Sequence, residues 1–173
     1  SGCGKSSLLS LVLGFNRPNS GKVFFRGVAV DENTAWEVRR RVAFIDQDVS
    51  LGNGSVEDLL EFVSNIKANA HLDFSTGKLT NLFQLHDVLH KNLKELSGGE
   101  RQRLAIVISV LLNRKVFFLD EITSSLDKNL KKQVADFFLN RTDWTCVIVS
   151  HDPVWLENPS VQVFDFEEKT WKH

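Results

Sequence analysis

Apolar positions along the chain recur with two periods, one helical and one extended, and together they predict alternating helices and strands. Leu8, Leu9, Val12 and Leu13 lie at helical spacing and predict a helix over residues 5–13. A turn cluster follows at 16–21, then a strand pair over 22–30 broken at Arg26-Gly27, and a strand over 41–45. Ser55 with Asp58 resembles a capping box that opens a helix through about residue 69. From there to residue 94 the chain is polar and reads as helical, with His86 and His90 on one helix face. In the second half, Ser97 caps a long helix ending near Asn113, and 116–119 is a short buried strand. Asp127 caps a helix to about Leu139, and 145–149 is another buried strand. Asp152-Pro153 starts a short helix, and 161–166 is a last strand. Apolar strands set between helices imply a parallel sheet covered on both faces. The expected fold is α/β, one domain over residues 1–173, with a mostly helical insertion between roughly residues 55 and 96.

Composition narrows the class. At 173 residues, 42% hydrophobic and 25% charged, the chain suits one soluble globular domain with a full core. Its formal net charge of -1 argues against a domain built mainly to hold nucleic acid by its phosphates. The longest largely apolar run, LAIVISVLL at 104–112, broken only by Ser109, is less than half of what a bilayer span needs. Cys3 and Cys146 lie far apart and make no metal-ligand spacing, so neither a disulfide framework nor a zinc site is suggested. A reducing, cytosolic setting is the simplest reading. The chain contains no methionine, so an upstream part is expected to be missing.

Chemistry enters at the first residues. Ser1-Gly2-Cys3-Gly4-Lys5-Ser6-Ser7 matches the last positions of the phosphate-binding pattern G-x-x-x-x-G-K-[ST], so the chain is expected to begin partway through that loop. Glycines let backbone amides turn onto phosphates, Lys5 would reach the β- and γ-phosphates, and the Ser6 hydroxyl would bind Mg²⁺. VFFLDE at 116–121 is an apolar strand ending in two carboxylates, at the strand end where parallel sheets bind ligands. Asp120 there suits Mg²⁺, directly or through water, and Glu121 the polarising of an attacking water. Ser97-Gly98-Gly99 at a helix start makes a second anion site from backbone amides and a hydroxyl. Taken singly, each has a bland reading: a Gly-rich helix start, an acidic loop after a core strand, a Ser cap. His86 and His90 have metal-ligand spacing but no third ligand, and with His71 and His173 they read as surface residues.

LSGGERQR at 96–103 resembles the LSGGQ-type signature of the ABC ATPase family, and the other motifs fall in that family's order. The partial P-loop comes first, and Gln47, after the strand VAFI, resembles the Q-loop. After the signature come Asp120-Glu121, then Ser124-Ser125-Leu126-Asp127, which resembles the D-loop. His151, after VIV at 147–149, resembles the switch histidine. The resemblance spans nearly the whole chain. It implies a P-loop NTPase core with a mainly parallel sheet and a helical subdomain at about residues 51–96. It also implies ATP and Mg²⁺ as ligands. Ser1, Gly2, Cys3, Gly4, Lys5, Ser6 and Ser7 would bind the phosphates, Ser6, Gln47 and Asp120 would surround the metal, and Glu121, Gln47 and His151 would serve catalysis. Ser97, Gly98, Gly99 and Asp127 belong with a nucleotide shared across a dimer. Members of the family sandwich two ATP molecules head to tail between two nucleotide-binding domains, identical or closely homologous.

The activity implied is ATP hydrolysis as the motor subunit of a membrane transporter. Such a subunit sits in the cytoplasm on the inner face of the cell membrane, docked on a transmembrane permease, with no nucleic-acid partner. The alternative is a soluble ABC-type ATPase acting on nucleic acid or the ribosome. Only 50 positions separate Gln47 from Ser97, without sustained heptads or a CxxC, which argues against the coiled-coil and zinc insertions of the DNA-repair members. Two departures stand out: Ile122 replaces the Pro of many importers, a lean toward exporters, and Ile108 replaces a common Arg.

Overall fold

The computed structural model describes residues 4–66 and 75–172. In chain order these form α1 (Lys5–Val12), β1 (Phe24–Phe25), β2 (Val28–Ala29), α2 (Ala35–Arg41), β3 (Val42–Ile45), α3 (Val56–Ser64) and α4 (Thr76–Leu82). There follow α5 (Gly98–Leu111), β4 (Val116–Asp120), α6 (Lys128–Leu139), β5 (Thr145–Val149), α7 (Pro153–Leu156), β6 (Val163–Asp165) and β7 (Thr170–Lys172). β3, β4 and β5 make a parallel sheet in that order, flanked by helices, which bears out the α/β expectation.

The period of two along β4 sorts its side chains between two cores. Phe117 and Leu119 join Ala43 and Ile45 of β3 in one cluster with Leu104, Ile106, Val107 and Leu111 of α5 and Val134 and Phe138 of α6. Val116 and Phe118 join Val42 on the other face, against Leu9 and Leu13 from α1 and its end and Val38 of α2. Both faces of the sheet are therefore covered. Phe117 also meets the Phe138 ring edge-on at 5.4 Å and the Trp144 ring at 4.5 Å. Each side chain buried this completely contributes about 1.5–3 kcal/mol of transfer free energy, which makes β4 the anchor for the residues that follow it.

The structure differs from the sequence expectations in five places. Residues 35–41, AWEVRRR, are helical, and Arg41 closes α2 rather than opening β3. Only Ala35 and Val38 of that helix are buried, so its apolar stripe is too short to register as a helical period. The helix opened by Ser55 ends at Ser64, short of the expected residue 69. Segment 75–94 is not one helix: α4 ends at Leu82, Gln84 takes φ 53°, and two 3₁₀ turns follow at His86–Val88 and Leu93–Glu95. His86 and His90 accordingly share no helix face, and His90 Nδ1 instead lies 3.2 Å from Glu57 Oε2. β5 is only partly buried, with Val147 41% exposed, because among the described residues it pairs with β4 alone. The last strand, β6, folds back on β7, which the sequence reading missed. The turn between them is local: the Asp165 carboxylate accepts from the Glu167 and Glu168 amides and pairs with Lys172 Nζ at 2.6 Å.

Candidate active site

Strand register assembles the site. Ile45, Leu119 and Ile148 stand level across the sheet, and Asp120 pairs with Val149. The residues leaving the C-terminal strand ends are therefore Asp46-Gln47, Glu121 and Ser150-His151, side by side. This is the edge where open parallel sheets bind ligands. α1 begins at the same edge: Lys5 Nζ donates to His151 Nε2 at 2.9 Å, across 146 positions of sequence. An ammonium has only donors, so His151 Nε2 accepts and the ring proton of this arrangement sits on Nδ1. Glu121 Oε1 lies 3.8 Å from the same Nε2. Lysine, imidazole and carboxylate thus converge on one point.

Two backbone features aim these groups. Gly4 precedes α1 at φ 91°, with nothing within 4 Å of where a Cβ would stand. Conformation rather than space requires glycine there. Glu121 takes φ 49°, a left-handed value rare for a residue with a side chain, and its N–H donates to Val149 O at 2.9 Å. Strain of this kind persists only where surrounding structure holds it, and it gathers at functional sites. Here β4 and β5 hold it from both sides.

Asp120 is 1% exposed, and its Oδ1 is buried without a hydrogen-bond partner among the described residues. An orphaned carboxylate oxygen at this edge suits a hard cation, and a Ser hydroxyl completes an oxygen donor set with it. Ser6 is exposed at the α1 N-terminus, as is Ser7. No cluster of three or more His, Cys, Asp or Glu able to hold a metal occurs among the described residues.

The signature forms a second locus. Ser97 and Glu100 close a reciprocal capping box: Ser97 Oγ accepts the Glu100 amide at 3.2 Å, and Glu100 Oε2 accepts the Ser97 amide at 2.7 Å. Lys91 Nζ reaches Glu100 Oε1 at 3.0 Å. The Ser97 amide first, and then Lys91, draw the Glu100 carboxyl down to about 2. Ser97 and Gly98 remain exposed, so this helix start faces outward. A Cβ on Gly99 would stand 3.0 Å from Ser125 O, so glycine lets the signature lie against the D-loop. Gln47 is exposed and lines a cleft of about 590 Å³ with Asp48, Ser50, Gly98, Arg101 and Ser125. Asp127 acts as a cap, its Oδ1 accepting the Asn129 and Leu130 amides at the start of α6. Ser1, Gly2 and Cys3, together with His71 and His173, lie outside the described residues.

Sequence reading passed over one group at this edge. Thr123 Oγ1 donates to Asp152 Oδ2 at 3.2 Å and accepts from Trp155 Nε1 at 3.2 Å, and Lys131 Nζ sits 2.7 Å from the same Asp152 oxygen. Burial pushes the Asp152 carboxyl up, but Lys131, the Val154 amide and Thr123 together outweigh it and hold the pKa below the ordinary aspartate value. Only Asp152 carried a local signal, as the residue before Pro153.

Comparison with known proteins places the chain in a family. Residues 1–124 match the family described as ABC transporter. The chain is 35% identical over 161 residues to the probable iron export ATP-binding protein FetA of Escherichia coli (strain K12), covering 88% of this chain and 69% of that protein. It is 34% identical over 158 residues to the spermidine/putrescine import ATP-binding protein PotA of Legionella pneumophila subsp. pneumophila, covering 88% of this chain but 43% of that one. Among solved structures, a bacterial Atm1-family ABC exporter with ATP bound superposes with a TM-score of 0.75 at 21% identity, over 88% of this chain and 28% of that chain. The cbiO1 protein of Clostridium perfringens, part of the ABC transporter complex cbiONQ, gives 0.63 at 23% identity, over 88% and 64%. These two likenesses speak for the fold, and the sequence matches speak for descent: the chain belongs to the ABC transporter family, as its ATPase domain.

Proposed function

We propose that this chain hydrolyses ATP as the motor of a membrane transporter, working as one half of a head-to-tail pair of such domains. The observation that carries the reading is the meeting of Lys5, His151 and Glu121 at the sheet edge, with the Ser97-Gly98 helix start turned outward. ATP would enter with its phosphates over the α1 N-terminus, where Gly4, Lys5, Ser6 and Ser7 offer amides, a cation and hydroxyls, and Gly2, outside the described residues, belongs to the same sequence motif. Lys5 then exchanges His151 for the β- and γ-phosphates, and the freed imidazole, its ring proton moved from Nδ1 to Nε2, donates to the γ-phosphate. Glu121, with 16% of its side chain exposed, orients and polarises water for in-line attack. Mg²⁺, held by Ser6 and Asp120 with Gln47, would neutralise the charge that the phosphates develop.

The outward signature supports the dimer. Ser97, Gly98 and Gly99 would close over the nucleotide of a second domain, with Asp127 behind them in the D-loop. Residues 51–96 would form the helical subdomain, and a permease would dock on the surface beyond Gln47, at the cytoplasmic face of the membrane. The names of the relatives, ATP-binding proteins of export and import systems, support transport as the coupled work. Ser97→Arg in the full-length protein tests the shared site. A bulky cation there would occupy the partner's γ-phosphate position, so hydrolysis is lost while nucleotide binding by the monomer stays intact. Loss of monomer binding to the same extent would put Ser97 beside its own P-loop and remove the sandwich.

A further inference from the structure

None of the roles above uses the buried polar chain that runs from Trp155 through Thr123 to Asp152 and Lys131. Thr123 is 0% exposed and Trp155 1%. The indole N–H can only donate, so at 3.2 Å it occupies a lone pair of Thr123 Oγ1 and directs the hydroxyl proton onto Asp152 Oδ2. Lys131 approaches that same oxygen at 2.7 Å from α6. The other carboxylate oxygen accepts the Val154 amide at 3.2 Å, and the Asp152 amide donates to Ser150 Oγ at 3.0 Å. Trp155, Thr123, Asp152 and Lys131 each have a partner for their side-chain polar atoms, and a satisfied network buried at its Thr123–Trp155 end is stiff there.

Its position matters more than its stability. Thr123 lies two residues beyond Glu121, and Asp152 directly follows His151. The sheet joins these two stretches only as far as Asp120 opposite Val149, with one further bond from the Glu121 amide to Val149 O. Beyond that level the Thr123–Asp152 bond ties the turn after β4 to the turn after β5. We infer that Asp152 is a positioning residue for hydrolysis: clamped by Thr123 and Lys131, it holds the 150–152 turn so that His151 stays opposed to Glu121 and Lys5. Asp152 touches no reacting atom. The inference rests on the reading of Glu121 and His151 given above.

A positioning role predicts loss of turnover without loss of ATP affinity, because ground-state contacts to the phosphates survive while alignment in the transition state does not. The experiment measures kcat and KM for ATP in the full-length protein, with thermal unfolding recorded alongside. Asp152→Asn and Thr123→Val are expected to lower kcat about tenfold or more, with KM within about twofold of the parent. Thr123→Ser, which keeps the hydroxyl, restores kcat. Should Asp152→Asn fail to fold, Lys131→Met against Lys131→Arg carries the same test from a side chain 29% exposed, with the loss of kcat confined to Met. Unchanged kcat in folded Asp152→Asn and Thr123→Val overturns the inference, and so does equal kcat in the two Lys131 variants. A KM rise that accounts for the whole loss also overturns it. Glu121→Gln runs in parallel. If that variant keeps its turnover, the reading of the site itself has failed; if it loses turnover while the Asp152 and Thr123 variants keep theirs, this inference alone has failed.

Discussion

Glu100 shows how far one residue's ionisation depends on the fold around it. The Ser97 amide and Lys91 take its carboxyl from an ordinary 4.5 down to about 2. A depressed carboxylate stabilises the folded state at pH above its unfolded value, and that contribution fades as pH falls from about 4.5 through about 2. Glu100→Gln should therefore unfold at a lower temperature than the parent near neutrality, and the gap should close on acidification across that window. A gap that stays constant with pH would mean that the Lys91 and Ser97 contacts do not set the charge. Cys146 moves the other way, since burial alone pushes its thiol up to about 11 and leaves it an apolar packing residue of β5. Legibility in the sequence follows the same divide between local and distant partners. Lys5, Asp120, Glu121, Ser97 and His151 stood out because fixed neighbours in the chain mark them. Thr123 and Trp155 did not, because their bond joins residues 32 positions apart and no local pattern encodes it.

Marked starts made α6 and α7 legible. Asp127 opens α6 by accepting the Asn129 and Leu130 amides at 2.9 and 3.1 Å, and the helix runs to Leu139 as expected. Asp152 and Pro153 likewise fix the start of α7. By contrast α2 has no side-chain cap and three consecutive arginines at its end, so nothing in its pattern separates it from a loop. Segment 75–94 failed for the opposite reason. Its polar, helix-compatible composition hides a break at Gln84, which takes a left-handed φ between Phe83 and Leu85, both fully buried. Caps also give the element scale its measurable consequence. Asp127→Ala leaves two amides of α6 unsatisfied, which costs about 1 kcal/mol. For a domain of this size the melting temperature falls by about 2–4 °C. A shift indistinguishable from zero would show that the cap observed at Asp127 contributes nothing.

At the scale of the whole molecule, two apolar faces on one short sheet decide where the chemistry stands. β4 is buried along its full length, and its register with β3 and β5 delivers Gln47, Glu121 and His151 to the same edge. α1, seated on the second core through Leu9 and Leu13, brings Lys5 to meet them. The sequence carried the order of these motifs but not their separations in space, which depend on the register of strands far apart in the chain. The proposed function places ATP hydrolysis at this edge, with Glu121 as the carboxylate that polarises water. The most direct measurement is ATP turnover by the full-length Glu121→Gln protein, with nucleotide binding followed in the same preparation. Turnover is expected to fall about 10²-fold or more with ATP still bound, and a closed dimer to be trapped with nucleotide. Turnover equal to that of the parent would remove Glu121 from the mechanism and contradict the account.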